Sequence, residues 1–200
     1  MHALIVVAHP DRESFSQQVA AHVAQVVSQD GPHTAEIADL AAEGFDPRFT
    51  ESDLAHYVRQ APTPPDVAAE QTRIDRSDAL VLVYPVYWWS FPGLLKGWID
   101  RVFANGWAYD EQPDGRLVKR LHHLPIHLFA IGGADLRTYA RHGYFGAMRT
   151  QIDHGIFDYC GAPVLTSELF LESEQGRERL LDAARSMGRG LFASSARLAA

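Results

Sequence analysis

Short, fully apolar runs alternate with longer amphipathic segments along this chain. Residues 3–8 and 79–84 carry no charged side chain, which is typical of strands buried on both faces of a sheet. Further strands are predicted at 34–40, 126–131 and 164–171. Between the strands, apolar residues at helical spacing predict helices at 16–29, 51–59, 66–75, 94–104, 139–159 and 175–197.

The alternation of strands and helices indicates the fold class. Parallel strands need crossover connections, and helices that cross over cover both faces of the sheet. Five strands in this order predict an α/β fold with a doubly wound parallel sheet of the 2-1-3-4-5 type. The length of 200 residues and the hydrophobic content of 46% suit a single domain over residues 1–200. Ligands of such sheets bind beyond the carboxyl ends of the strands, which here follow Ala8, Tyr84 and Ile131.

Hydroxyl residues follow the first predicted strand, where a helix should begin. Exposed amides at a helix N-terminus favour a phosphate, and the hydroxyls of Ser14 and Ser16 are placed to add hydrogen bonds to it. The alternative is that one of these serines only caps the helix. His9 likewise either faces a ligand or makes a structural hydrogen bond. Neither G-x-G-x-x-G nor G-x-x-x-x-G-K-[ST] occurs in the chain, so these two nucleotide-binding motifs are excluded.

The segment 84–92, after the third predicted strand, contains five aromatic residues and two prolines among nine positions. Prolines restrict the backbone, and aromatic rings offer a flat apolar surface to a planar ligand. An aromatic core plug or a dimer interface would explain the same composition. After the next predicted helix, Trp107 and Tyr109 lie in a second aromatic loop that we expect to wall a pocket.

Gly132 and Gly133 follow the fourth predicted strand. Paired glycines allow a ligand to approach the backbone closely, although they also suit an ordinary turn between a strand and a helix. Tyr139 and His142 come shortly afterwards. A histidine donates or relays a proton near neutral pH, but a histidine on a helix is more often only exposed to solvent.

Composition excludes several classes of partner and site. The net charge of −7 without a basic run argues against a nucleic-acid or anionic-membrane partner, and no apolar stretch has the length of a membrane span. The single cysteine, Cys160, excludes an internal disulfide and a CxxC motif. With no signal-peptide pattern at the N-terminus, we expect a cytoplasmic location. No metal site is expected at His122, His123 and His127, because adjacent residues face different ways on a regular element.

Residues 84–102 match the pattern aromatic-Pro-x-x-Trp-aromatic-x-x-Pro-x-x-Leu-Lys-Gly-Trp-x-[Asp/Glu]-Arg-Val, and Phe103 follows it. Supporting matches are Ala8-His9, Ser14-Phe15, the segment 65–71, Gly132-Gly133, His142-Gly143 and Tyr159-Cys160-Gly161. Together these residues resemble the NAD(P)H:quinone oxidoreductase family of the DT-diaphorase type, from residue 4 to about residue 165. The family usually has two threonines before its paired glycines, where this chain has Ala130-Ile131.

The resemblance implies a flavodoxin-like fold, a flavin (FAD or FMN), and NADH or NADPH as co-substrate. It implies a ping-pong reaction in which two electrons reach a quinone or similar small electrophile. The residues implied in flavin binding are His9, Ser14, Phe15, Ser16, Pro85, Val86, Tyr87, Trp88, Trp89, Gly132 and Gly133. The implied catalytic residues are His142 and Tyr139, and Tyr109 and Trp107 would line the substrate pocket near the interface of a homodimer.

Two other functions fit the same resemblance. Some members of the family are ancillary flavoprotein subunits of potassium-efflux systems, although this sequence shows no docking tail. A flavodoxin-type carrier of single electrons is the second alternative. The aromatic residues Trp107 and Tyr109 argue mildly against it, because a carrier needs no substrate pocket.

Overall fold

The computed structural model describes residues 1–29 and 32–193. Its seven strands are β1 (His2–Val7), β2 (Thr34–Asp39), β3 (Ala79–Pro85), β4 (Tyr109–Glu111), β5 (Leu117–Lys119), β6 (Ile126–Gly132) and β7 (Val164–Leu171). Five of them form one parallel sheet in the order β2-β1-β3-β6-β7, and β4 and β5 form a separate antiparallel hairpin. Apart from this hairpin, the order is 2-1-3-4-5, so the predicted α/β fold and sheet order are confirmed.

Helices connect the strands on both sides of the sheet. They are α1 (Phe15–Gln29), α2 (Glu51–Tyr57), α3 (Pro65–Asp75), α4 (Gly93–Val102), α5 (Leu136–His142), α6 (Tyr144–Met148), α7 (Glu172–Gln175) and α8 (Arg177–Gly190). A π-helical segment, Arg149–Asp158, continues directly from α6. Within the described residues, no helix combines the length and the apolar character needed to cross a membrane.

Alternate residues of the central strands face two separate apolar cores. Leu4 and Val6 of β1 lie in the core that α4 and the π-helical segment cover. Ile5 and Val7 lie in the core that α1 and α8 cover. All four side chains are fully buried. The sheet is therefore covered on both faces, which explains why β1 and β3 have uninterrupted apolar sequences.

The prediction of one continuous helix at 139–159 is wrong, because the structure divides this stretch into separate helical segments. Helix α5 ends at His142 because Gly143 adopts a left-handed conformation with φ of 70°, which is a common helix terminator for glycine. The chain then restarts as α6 and widens into the π-helical segment. Helical periodicity in the sequence does not distinguish such a divided helix from a continuous one.

Two further differences concern turns. Gly176, with φ of 76°, separates α7 from α8, so the helix predicted at 175–197 begins later than expected. Its last predicted residues, 194–197, lie outside the described residues. The hairpin of β4 and β5 was not predicted, because three-residue strands carry too little alternation to be recognised.

Helix α4 packs closely on the segment before α2. A Cβ atom at Gly97 would overlap the backbone oxygen of Pro47 and lie 2.8 Å from its Cα atom. Trp98 is fully buried, and its Nε1 donates to Glu70 Oε2 of α3 at 2.8 Å. The Gly-Trp part of the sequence pattern therefore fixes α4 to its neighbours.

A buried guanidinium group completes this attachment. Arg101 is 5% exposed, and its Nε donates to Asp53 Oδ1 at 3.0 Å. Its Nη1 donates to Asp66 Oδ2 at 2.7 Å and to the backbone oxygen of Asp46 at 2.8 Å. The Arg101 hydrogen bond holds the pKa of Asp66 below its usual value. One charge thus connects α2, α3 and α4, and burying it is tolerable only because it is paired.

Candidate active site

A tight turn follows β3 at the carboxyl edge of the sheet. Tyr87 and Ser90 exchange two backbone hydrogen bonds of 3.1 and 3.0 Å, which leaves Trp88 and Trp89 as the central residues. These two have φ angles of 50° and 60°, the left-handed region that such hairpin turns usually fill with Asn or Gly. A non-glycine residue there costs about 1–3 kcal/mol. We call Tyr87–Ser90 the tryptophan turn.

The two indole rings of the tryptophan turn have different surroundings. Trp88 is 93% exposed. Trp89 stacks face to face on Tyr144, with ring centroids 3.6 Å apart and planes 13° from parallel. The edge of Trp89 also meets Tyr139 at 5.1 Å. One ring is therefore held by its neighbours, and the other stands in solvent at the edge where ligands of this fold class bind.

Contacts on both sides of the turn hold it in place. Before the turn, the Val86 amide donates to the Ile131 backbone oxygen at 2.8 Å, which extends the pairing of β3 with β6. At the end of the turn, the Ser90 hydroxyl donates to Gln151 Oε1 in the π-helical segment. The turn is thus fixed to the sheet and to the covering helix, as a strained turn requires.

The two glycines after β6 have different roles. A Cβ atom at Gly132 would lie 2.5 Å from Tyr139 Oη and 2.7 Å from Leu171 Cδ2, so the bare backbone makes room for the tyrosine. A Cβ atom at Gly133 would meet no described atom within 4 Å. Tyr139 is almost fully buried, and burial raises the pKa of its hydroxyl group. Gly133 therefore leaves open space at the sheet edge, whereas Gly132 is needed for packing.

A cleft of about 160 Å³ lies between the tryptophan turn and the loop after β6. Its lining residues are Val86, Trp88, Trp89, Gly133, Ala134 and Tyr139. Five of these six were predicted as site residues from the sequence. The structure therefore brings together the predicted residues that follow β3 and β6, next to Pro85 at the end of β3.

The loop after β1 leads into the N-terminus of α1, and its side chains form local hydrogen bonds there. Ser14 Oγ accepts a hydrogen bond from the Gln17 amide at 3.3 Å, so Ser14 caps the helix. Ser16 is buried at 2% exposure, and His9 Nδ1 accepts from the Asp11 amide at 3.0 Å. The first turn of α1 contains no acidic residue. Its amides and dipole at the carboxyl edge therefore suit an anion.

Arg177 is a site candidate that the sequence interpretation missed. It is the first residue of α8, and its guanidinium carbon lies 5.0 Å above the ring of Phe15, the first residue of α1. Its Nε also pairs with Glu172 at 3.3 Å. A positive charge therefore lies beside the anion-suited end of α1. The available signal was its position just after the fifth parallel strand, at the carboxyl edge of the sheet.

His142 lies beside the cleft and is not among its lining residues. It is the last residue of α5 and is exposed, and its ring lies 5.3 Å from that of Tyr144 at an angle of 27°. Since Tyr144 stacks on Trp89, the structure connects His142 to the cleft through one aromatic ring.

Trp107 and Tyr109 lie at the opposite edge of the sheet. Helix α4 starts at the carboxyl edge, and its ten residues span about 15 Å before these aromatics begin. Trp107 Nε1 donates to Asp75 Oδ1 at 3.0 Å, at the end of α3. Tyr109 meets Tyr159 edge to face at 5.2 Å. Within one chain, the structure does not bring Trp107 and Tyr109 to the cleft.

The remaining candidate side chains lie away from the cleft. His127 is buried, its Nδ1 lies 3.0 Å from Thr166 Oγ1, and burial lowers the pKa of its ring to about 4. In the part of the chain that the structure describes, no three His, Cys, Asp or Glu side chains are grouped to hold a metal ion. Cys160 is buried, and burial raises the pKa of its thiol to about 12.

Comparison with known proteins agrees with this architecture. A family model described as a flavodoxin-like fold matches residues 1–189. The chain belongs to the flavodoxin-like family. A Haemophilus influenzae protein named as an NAD(P)H oxidoreductase is 29% identical to this flavodoxin-like protein over 189 residues, covering 92% of each chain.

Two solved structures extend the comparison. An NAD(P)H:quinone oxidoreductase from Methanothermobacter marburgensis has a TM-score of 0.87 and 30% identity, over 96% of this chain and 98% of its own. A general stress protein from Treponema denticola, solved in complex with FMN, has a TM-score of 0.62 and 26% identity over 99% of both chains. The predicted resemblance is confirmed, and this flavodoxin-like protein is an oxidoreductase.

Proposed function

We propose that this flavodoxin-like protein is a flavin-dependent NAD(P)H oxidoreductase that reduces a quinone or a similar small electrophile. The observation that carries the proposal is the cleft at the carboxyl edge, where the tryptophan turn faces the open backbone of Gly133. The proposal is supported by the M. marburgensis relative, which is named an NAD(P)H:quinone oxidoreductase, and by the T. denticola relative, which binds FMN.

Residues at the carboxyl edge of the sheet, in the cleft and at the N-terminus of α1, suit the two parts of a flavin. The exposed ring of Trp88 and the bare backbone of Gly133 offer flat surfaces to a planar ring system. The N-terminus of α1 and the guanidinium of Arg177 offer amides and positive charge to a phosphate. We assign His9, Ser14, Phe15 and Ser16 to the phosphate end.

The chemistry that a bound flavin supplies is hydride acceptance from NAD(P)H followed by delivery of two electrons to an acceptor. In this proposal both substrates use one cleft in turn, which gives ping-pong kinetics. Tyr139 keeps its proton on Oη at neutral pH, because a tyrosine hydroxyl has an ordinary pKa of about 10. Burial raises this pKa further, so Tyr139 remains a neutral donor beside Gly132. His142 is placed to accept or release a proton at the outer side of Tyr144.

The function is tested on the purified full chain. A bound flavin should give a yellow protein, and mass measurement of the released molecule distinguishes FMN from FAD. The protein should oxidise NADH or NADPH when a quinone is added, with parallel lines in double-reciprocal plots. A colourless protein that takes up neither FMN nor FAD would contradict the proposal.

We further propose that the protein is a homodimer whose active site includes residues from both copies. Apolar side chains around α2 are exposed, and beside them lies a cavity of about 370 Å³ lined in part by Tyr109. The exposed members are Phe49, Leu54, Tyr57 and Val58. A second copy covering this face would bury them and bring Trp107 and Tyr109 toward the cleft of its partner.

Light scattering after size-exclusion chromatography tests the dimer. Leu54→Asp places a charge in the centre of this face and should produce monomers. Ile37→Asp is the matched control, because Ile37 is also exposed but lies on the edge strand β2. A monomeric wild-type protein, or a Leu54→Asp variant that stays dimeric, would argue against this interface.

A further inference from the structure

Another cavity, of about 350 Å³ and separate from the one beside α2, lies behind the active-site cleft. It is bounded by the π-helical segment on one side and by β6 and β7 on the other, with Tyr84, Phe145, Met148, Ile152 and Leu169 among its walls. The ring of Phe145 lies 5.3 Å from that of Tyr139, which lines the cleft. The two spaces are thus separated by a layer of aromatic rings. The volume lies within the usual range for small-molecule sites, about 300–1,000 Å³.

One carboxyl group in this cavity has little compensation from the protein. Asp153 is only 9% exposed, and it lines the cavity from the π-helical segment. Its one described hydrogen bond is from the Ser167 hydroxyl at 3.4 Å, which is long. An ionised carboxylate has room for about four donors. Burial raises the pKa of Asp153, which reflects the same shortage of partners.

The charges around Asp153 leave a position for a cation. Arg149, which also lines the cavity, and His154 favour the ionised form of Asp153, but neither forms an ion pair with it within 4 Å among the described contacts. Burial raises the pKa of Tyr84, which also lines the cavity, and the negative charge of Asp153 raises it further. The cavity therefore contains one buried carboxyl group, that of Asp153, together with the charged residues Arg149 and Glu168 and with apolar and aromatic residues. Glu168 is exposed, so Asp153 is the carboxyl group that lies out of solvent.

The local backbone supports a binding role. The π-helical segment runs for ten residues, although most π-helical geometry occurs as single turns, and such turns are frequent at functional sites. Its wider turn carries Asp153 on the side that faces β7, where Ser167 lies. We propose that this cavity binds a small organic cation, an amine or an amidine with an apolar body, through the carboxylate of Asp153.

Benzamidine is a suitable probe, because it combines a flat apolar ring with an amidinium group that pairs with a carboxylate in two hydrogen bonds. Benzamide has nearly the same shape without the charge. Isothermal titration of the purified full chain, saturated with FMN, should show one benzamidine site and binding of benzamide at least about tenfold weaker. Saturation with FMN keeps the probe out of the cleft. If the protein takes up no FMN, the same titration is run without it, and the variants below show whether the probe binds at Asp153.

Two variants locate the site. Asp153→Asn should weaken benzamidine binding about tenfold and leave benzamide binding unchanged, while its far-ultraviolet spectrum shows that it folds. Asp158→Asn removes a charge from the same segment, but Asp158 is exposed and pairs with Lys119, so its benzamidine affinity should equal that of the wild type. The proposal is overturned by equal binding of the two probes, by equal affinity in Asp153→Asn, by an equal loss in Asp158→Asn, or by no benzamidine binding.

Discussion

The tryptophan turn and helix α4 are neighbours in the chain and differ in almost every physical respect. The turn has two consecutive left-handed non-glycine residues and an indole that is almost fully exposed. Helix α4 has regular geometry, a buried tryptophan and a buried arginine with three partners. The sequence pattern 84–102 runs through both without a break. Under the proposed function, one part of the pattern concerns ligand binding, while the other concerns the attachment of a helix.

Because of this difference, the residues of one sequence pattern do not all contribute to the cleft. The Lys-Gly-Trp residues strengthened the resemblance to flavin-dependent oxidoreductases, yet Gly97 contacts Pro47 and Trp98 contacts Glu70. Neither residue lines the cleft. Substitutions in α4 should therefore act on folding, and substitutions in the tryptophan turn should act on ligand binding.

The largest loss of stability is expected when Arg101 is replaced. Arg101→Met leaves the carboxylates of Asp53 and Asp66 without their buried partner, which should lower the free energy of unfolding by about 3–5 kcal/mol. Urea unfolding measures the change. Lys96→Met is the control on the same helix, because its ion pair with Asp100 is exposed and contributes about 0–1 kcal/mol. Equal effects of the two variants would show that burial of the Arg101 network does not matter.

A smaller loss of stability is expected when Gly97 is replaced. Gly97→Ala places a methyl group against the backbone of Pro47, and overpacking of this kind costs about 1–3 kcal/mol. Gly93→Ala is the matched control at the start of α4, where a Cβ atom meets no described atom within 4 Å. That control should leave stability unchanged or raise it by up to about 1 kcal/mol. A stable Gly97→Ala variant would indicate that the chain before α2 moves easily.

Replacing Trp88 of the tryptophan turn with glycine should raise the free energy of unfolding, whereas replacing Arg101 or Gly97 in α4 lowers it. Trp88→Gly relieves a left-handed conformation at a residue with few packing contacts, so the free energy of unfolding should rise by about 1 kcal/mol. Trp88→Ala keeps the strain and should leave stability nearly unchanged. Both variants remove the ring and should weaken FMN binding, measured by quenching of flavin fluorescence. Stronger FMN binding by either variant would contradict the proposed role of Trp88.

The smallest effect is expected at Tyr144. Tyr144→Leu keeps apolar bulk but removes the ring that stacks on Trp89, with an expected loss of about 0.5 kcal/mol in stability and a change in the near-ultraviolet circular dichroism. Tyr144→Phe keeps the stack and should match the wild type in both measurements. If the two variants behave alike, the stack does not hold Trp89.

The strands of the sheet could be predicted because the composition of each strand reflects its own burial. Residues 3–8 and 79–84 are apolar without interruption, and a strand buried on both faces needs that composition. The position of the cleft followed from the strand order, since the carboxyl ends of β3 and β6 meet at one edge.

Other features depend on contacts between distant residues. The pairing of Arg101 with Asp53 joins residues 48 positions apart, and no local pattern indicates it. Arg177 approaches Phe15 only after α1 and α8 have packed on the same face. The left-handed pair Trp88-Trp89 was missed for a different reason, because its residue types do not belong to those that favour this conformation. Tyr139, by contrast, was predicted at the site and lines the cleft.

The strain in the tryptophan turn also affects how this site changes during evolution. The energy cost at positions 88 and 89 belongs to the backbone, so it is nearly the same for most L-amino acids. Exchanging the side chain at position 88 alters the exposed surface of the turn with little change in stability, because Trp88 packs against little else, whereas Trp89 is held by Tyr144. Position 88 is thus a place where a lineage can vary the surface that the proposed function offers to a ligand, at almost constant stability, provided that the buried attachment of α4 stays intact.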